Sequence, residues 1–178
     1  MTTPQPFDCL QAMEARCREV ATGLPRPAGT RQWAGIGFRL GPGWYAVPLD
    51  EVSEILREPG YAPLPGVKPW VCGLANRRGR LLPVLDLGAY LGIAARPSGQ
   101  PRRLLVVDSP ALFAGLRVDE ISGLQHFALE SFAEQVPDCA PAVRPLLYGA
   151  FRRERFWPVF SLRRLVEQPD FLQPDRGH

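Results

Sequence analysis

The sequence predicts a mainly β protein: two similar five-stranded units packed together, with short helices and an N-terminal helix. Three observations lead there. The chain of 178 residues carries 20 prolines and 17 glycines, and proline interrupts helices and central strands, so short elements joined by many turns are expected. Short apolar runs alternate with turn-forming clusters such as Gly41-Pro42-Gly43 and Asn76-Arg77-Arg78-Gly79, the pattern of hairpins. Three short patterns also recur in the same order in both halves. With 46% hydrophobic and 22% charged residues, the chain can bury a core.

Residues 5–21 read as an amphipathic helix, because Phe7, Leu10, Met13, Cys17 and Val20 recur at helical spacing. Leu24-Pro25-Arg26-Pro27 breaks it, so residues 1–32 form a leader and linker, for which three arrangements stay open: packed on the body, a separate docking helix, or mobile. The body spans 33–166, divided into about 33–100 and 101–166, with a C-terminal tail over 167–178 that is expected to fray from Pro169. Trp33–Leu40 and Trp44–Pro48 form a hairpin about Gly41-Pro42-Gly43, where glycine permits positive φ. Asp50 is expected to cap a short helix carrying Val52, Ile55 and Leu56. A proline-rich connection follows from Pro59 to Pro69. Trp70–Ala75 and Leu81–Leu85 make the next hairpin, and Asp86 caps a short helix through Leu91. In the second half, Arg103–Val107, Leu112–Val118 and Ile121–Phe127 are strands. Residues 128–145 are less regular, with a short helix before Pro137. Leu146–Phe151 and Phe156–Phe160 flank a charged turn, and Ser161 caps a helix through Leu165.

The repeat is the strongest of these signals. Val47-Pro48-Leu49-Asp50-Glu51-Val52 resembles Leu116-Arg117-Val118-Asp119-Glu120-Ile121, offset by 69 residues. Gly73 and Gly149 each sit in an apolar strand, offset by 76, and Pro83-Val84 matches Pro158-Val159, offset by 75. Three matches in one order imply a duplicated unit. Five short strands suit a small closed barrel, which removes sheet edges. Units this small have marginal cores alone, so the two pack together, leaving a seam groove that favours binding.

Composition excludes several classes. Net charge is +3 and Lys68 is the single lysine; the arginine excess is read first as a bias of the source genome. Four cysteines without CxxC spacing, and two histidines, argue against structural zinc. Cys72 reads as a buried thiol in a reducing compartment. The start MTTPQPFD lacks the features of a signal peptide, and no apolar run reaches membrane-spanning length, so the cytoplasm is expected, with no membrane insertion. No nucleophile–base set, phosphate cradle or cofactor fingerprint is present, so neither catalysis nor a cofactor is expected. Arg77-Arg78-Arg80, Arg102-Arg103, Arg152-Arg153-Arg155 and Arg163-Arg164 read first as solvated loops, although arginine is also enriched at interfaces. Trp44, Tyr45, Trp70, Phe156 and Trp157 sit inside strand patterns and are expected in the core. A nucleic-acid-binding double barrel is the alternative, but its base-stacking aromatics are then missing from the surface.

The order Val52-Ser53-Glu54-Ile55, Leu64-Pro65-Gly66, Trp70-Val71-Cys72-Gly73-Leu74-Ala75-Asn76-Arg77-Arg78-Gly79 and Pro83-Val84-Leu85-Asp86-Leu87 resembles the CheW family of chemotaxis coupling proteins. The resemblance covers about 33–166. The leader and arginine-rich body look most similar to the CheW-like proteins of type IV pilus, or twitching-motility, chemosensory systems. The resemblance implies two SH3-like five-stranded barrels. It also implies a scaffold that couples the cytoplasmic tip of a methyl-accepting chemoreceptor to the regulatory domain of a CheA-type histidine kinase. Val52, Glu54 and Gly73 match positions linked to kinase or receptor coupling. Arg78 matches an arginine associated with receptor coupling, with Asn76 and Gly79 shaping its turn. Asp119 and Ile121 extend the pattern into the second half. Departures are Ser161 in place of Asp86, and a second turn without the asparagine and glycine of the first, so partner contacts should differ between halves.

Overall fold

Strand β6 (Arg103–Asp108) shows how the chain is layered. Leu104 and Val106 join a small apolar cluster with Ala75, Leu82 and Val84. Leu105 and Val107, on the opposite face, join a larger cluster with Ile36, Phe38, Tyr45, Val47, Leu116 and Phe160. A strand buried on both faces reads as an unbroken apolar run, which is why Leu104–Val107 shows no alternation. The structure, a computed structural model, describes residues 31–96, 99–136 and 139–171. The expected helix at 5–21, with Cys9 and Cys17, lies outside the described residues.

The other strands are β1 (Gln32–Leu40), β2 (Gly43–Pro48), β3 (Glu54–Arg57), β4 (Val71–Arg77), β5 (Arg80–Asp86), β7 (Phe113–Val118), β8 (Glu120–Ala128), β9 (Phe132–Ala133), β10 (Leu147–Arg152) and β11 (Phe156–Phe160). Two short helices follow the second strand of a hairpin: α1 (Leu87–Tyr90) after β5 and α2 (Leu162–Val166) after β11. Both are capped as the sequence predicts. Asp86 accepts from the Ala89 N–H and Ser161 from the Arg164 N–H, each satisfying a donor that has no partner within the helix.

The strands form a six-stranded sheet, ordered β8-β1-β2-β11-β10-β9, and a five-stranded sheet, ordered β3-β6-β7-β5-β4. Among the described residues no backbone ladder joins the ends of either sheet, so the expected closed barrels are curled open sheets. Each curls over its own cluster. Trp33, Phe127, Phe151 and Trp157 fill the six-stranded one, with Phe127 and Phe151 stacked at 4.8 Å. The larger shared cluster lies where the two sheets back onto each other.

The sheets do not coincide with residues 33–100 and 101–166. The β1–β2 hairpin of the first half joins β8–β11, and the β6–β7 hairpin of the second half joins β3–β5. Each sheet therefore takes a hairpin from one copy of the repeat and the remaining strands from the other. Two parallel contacts lock the exchange, Ala46 with Val159 and Gly115 with Val84. These are the same pair in the two copies, consistent with the Pro83–Pro158 match.

Three local expectations need correction. Ile55 and Leu56 lie in strand β3, not in a helix, and Leu49–Glu51 is a 3-10 turn without a side-chain cap. Pairing of Glu54–Arg57 with Arg103–Val106 wins over the apolar spacing that suggested a helix. The helix expected before Pro137 is a 3-10 turn, Leu129–Ser131, leading into β9, which pairs with β10. The third is the tail, whose described part, up to residue 171, is held to the body by Phe171, which is buried with its ring 5.0 Å from Tyr90.

Candidate functional site

The site begins at a two-residue hairpin turn. Arg77 and Arg80 face each other at the ends of β4 and β5, leaving Arg78 and Gly79 as the central pair. Both have positive φ, 50° and 79°, the arrangement that matches the twist of the flanking strands. The Asn76 side-chain oxygen accepts the Gly79 N–H at 3.0 Å, fixing the turn as the sequence suggests. Arg78 is the one described non-glycine residue with positive φ. Its side chain is 77% exposed.

Glu54 reaches this turn from β3, the opposite edge of the same sheet. Its carboxylate accepts from Arg77 Nε at 3.2 Å and from a terminal nitrogen of the same guanidinium. Arg78 approaches Glu54 at 3.7 Å. The sheet thus curls until side chains, rather than a backbone ladder, bridge its edges. The hydrogen bond from Arg77 holds the Glu54 carboxyl below its ordinary range. Glu54, Asn76, Arg78 and Gly79 are therefore brought together, with Arg77 as the fixing group that the sequence reading left among solvated arginines.

The remaining predicted residues occupy other places. Gly73 is buried in β4 at a register shift, with φ 151°. A Cβ there would overlap the Ala62 carbonyl oxygen. Gly73 thus lets the proline-rich connection lie against β4 through the Ala62–Leu74 bridge. Val52 and Ile121 are partly buried against the shared core, one in each copy of the repeat. Asp119 is 7% exposed. It accepts the Gly41 N–H at 2.7 Å and lies 4.0 Å from Arg39, so it pins the β1–β2 turn and offers no surface to a partner.

Two further carboxylate clusters were not legible as sites. Arg117 on β7 binds Asp86 through two nitrogens, Glu58 at 3.0 Å and the Tyr61 hydroxyl at 3.2 Å. Burial works against its charge, but the ion pairs to Asp86 and Glu58 outweigh that and raise its pKa. This cluster clamps the start of the proline-rich connection to the cap of α1. Cys72 beside it is partly buried, and desolvation pushes its thiol up. Glu51 accepts the Leu162 N–H at 2.7 Å and faces the Tyr148 hydroxyl at 3.5 Å. Desolvation raises its pKa to about 7. A groove of about 480 Å³ lies at the seam, lined by Lys68, Trp70, Tyr90, Pro145, Leu146 and Asp170.

Two curled sheets that exchange hairpins, with an arginine turn braced by a glutamate from the far sheet edge, define a duplicated β module. A model of the CheW-like domain matches residues 34–170, and the chain belongs to that family. It is 47% identical over 168 residues to Protein PilI of Pseudomonas aeruginosa, covering 94% of each chain. It is 28% identical over 140 residues to the chemotaxis protein CheW of Helicobacter pylori, covering 79% of this chain and 84% of that one. The crystal structure of the scaffolding protein TtCheW from Thermoanaerobacter tengcongensis superposes with a TM-score of 0.66 at 21% identity, over 78% of this chain and 94% of that one. That likeness supports the two-sheet fold.

Proposed function

We propose that the protein is a non-catalytic adaptor coupling the cytoplasmic tip of a methyl-accepting chemoreceptor to the regulatory domain of a CheA-type histidine kinase, in type IV pilus chemosensory signalling. Full-length similarity to PilI supports this reading, and the Glu54–Arg77–Arg78 turn supplies a physical means. A receptor hairpin presents amphipathic helices, which an apolar groove accepts. Arg78 is held out by a backbone conformation that a side chain rarely adopts, and its contact with Glu54 is long. Its exposed guanidinium can exchange this long contact for a receptor carboxylate and set register, as planar forks do. Glu54, Val52 and Gly73 support that turn or the neighbouring faces, with Asp119 and Ile121 the counterparts of Asp50 and Val52 on the other copy. The protein works in the cytoplasm, recruited to membrane-bound receptor arrays. No described helix is long and apolar enough to cross a membrane.

The test is kinase activation in a complex reconstituted from receptor, kinase and this protein. Substituting Arg78→His should lower receptor-dependent activation while the variant unfolds at the same denaturant concentration as the parent. Unchanged activation would remove Arg78 from the coupling site.

A further inference from the structure

The turn between β10 and β11 is the second copy of the turn that carries Arg78; it holds Glu154 where the first copy has Arg78 and Gly79, yet none of its arginines forms an ion pair among the described residues. The register makes the correspondence. Ala75 pairs with Leu82 and Asn76 with Leu81 in the first copy; Phe151 pairs with Trp157 and Arg152 with Phe156 in the second. Arg77 thus corresponds to Arg153, and Arg80 to Arg155. On the facing strand, Glu54 lies opposite Val106, which pairs with Gly115. Gly123 lies opposite Gly37, which pairs with Ala46. Since Gly115 and Ala46 are equivalent, Gly123 stands where the first copy has Glu54.

The consequence is visible in the side chains. Arg77 meets the Glu54 carboxylate, whereas Arg153 meets only the neutral amide oxygen of Gln125, at 3.4 Å. Arg39, Arg77, Arg78, Arg80, Arg102 and Arg117 all have carboxylate partners. Among the described ion pairs Arg152, Arg153 and Arg155 have none. They lie instead over aromatic rings: Arg153 over Phe127 at 5.8 Å, Arg155 over Trp44 at 5.6 Å and Trp157 at 5.9 Å, and Arg152 over Phe156 at 6.0 Å. A guanidinium resting on a ring is pre-organised, so less freedom is lost when it binds a carboxylate. Phe156, expected in the core, is 41% exposed, and Leu124 on β8 is 47% exposed. A turn of three arginines and one glutamate, its guanidinium groups without carboxylate partners and flanked by apolar side chains, fits an acidic protein segment that carries apolar residues among its carboxylates.

We infer that the β10–β11 turn, through Arg153 and Arg155, docks an acidic segment of a partner protein, whose carboxylate fills in trans the place that Glu54 fills in cis on the other copy. This surface stands independently of the receptor and kinase reading. Exposed aromatics make single-stranded nucleic acid the rival occupant, since bases also stack on rings.

The full chain is titrated with a blocked peptide of alternating glutamate and leucine, following tryptophan fluorescence and arginine side-chain NMR signals. A single-stranded oligonucleotide is titrated in parallel. The expected result is saturable peptide binding that shifts the Arg153 and Arg155 signals. It should weaken at least tenfold in the double variant Arg153→Ala, Arg155→Ala. It should weaken as much in Gln125→Glu, which installs the missing carboxylate in cis while keeping every arginine. Circular dichroism checks that both variants keep the parent fold. Peptide binding that is absent, or unchanged in Gln125→Glu, overturns the inference. Oligonucleotide binding at the turn without peptide binding overturns it in favour of nucleic acid.

Discussion

Substituting Gly73→Ala tests the local geometry on which the fold and the proposed coupling face depend. At φ 151° the position lies in a region that residues with a Cβ rarely enter, at a cost of about 1–3 kcal/mol. The new Cβ would also overlap the Ala62 carbonyl oxygen and lie 2.8 Å from its carbon. Backbone atoms cannot swing aside as a flexible side chain does, so the proline-rich connection must lift. Lifting breaks two hydrogen bonds, Ala62 N–H to Leu74 O and Leu74 N–H to Ala62 O, both 2.9 Å, each worth about 1 kcal/mol net. The sum is about 3–5 kcal/mol, or on the order of 10 °C in the unfolding midpoint for a protein of this size. Urea and thermal unfolding measure it. Gly60→Ala is the control, because a Cβ there meets nothing within 4 Å and no positive φ is involved; it should change stability by less than about 1 kcal/mol. Indistinguishable Gly73→Ala and Gly60→Ala variants would refute the argument. Gly149→Ala should behave like Gly73→Ala, since a Cβ at Gly149 (φ 154°) would lie 2.6 Å from the Ala133 carbonyl oxygen.

Three other outcomes follow from the carboxylate clusters. Glu51 has a raised pKa, about 7 against an ordinary 4.5, so its neutral form is favoured by folding. Its contribution is fully present below pH 4.5 and is lost as pH rises through 7, at most about 3 kcal/mol; Glu51→Gln should flatten the stability profile between pH 5 and 8, and an unchanged slope would contradict this. Arg117→Ala leaves Glu58 without its partner and Asp86 with only the longer Arg102 contact at 3.9 Å and should cost about 3 kcal/mol in urea unfolding; a change below about 0.5 kcal/mol would show that the cluster is not a clamp. Arg77→Ala should return the Glu54 carboxyl toward its ordinary range in an NMR titration, whereas Arg78→Ala should leave most of the depression in place, because the Arg77 hydrogen bond is its largest cause.

Much of the fold was legible because its signals are local. Gly41-Pro42-Gly43, Asn76-Arg77-Arg78-Gly79, and the caps Asp86 and Ser161 each mark a boundary found in the structure. The repeat was legible too, but not its consequence. Which copy a hairpin joins depends on long-range pairs such as Ala46–Val159 and Gly115–Val84, and no spacing within one half encodes them. Strand β3 was misread because Val52, Ile55 and Leu56 fit a helical stripe, and only pairing with β6 decides otherwise. At the site, the turn residues were legible through their turn chemistry. Asp119 entered through the resemblance as a partner-binding residue, and its burial against the Gly41 N–H is a long-range contact that no local spacing encodes. The Arg77–Glu54 brace and the Arg117 cluster were hidden because their partners lie far apart in sequence. Phe156 followed the strand pattern, yet it sits at the turn, where alternation does not guarantee burial.

As proposed, this chain joins a kinase to a receptor without turning anything over. Calorimetric titration of the full chain with the regulatory domain of the CheA-type kinase tests it most directly. Saturable one-to-one binding is expected, retained in Arg78→His while receptor-dependent kinase activation falls. No binding between the folded protein and a competent kinase domain would contradict it, leaving the two exchanged sheets standing and the adaptor role without its first partner.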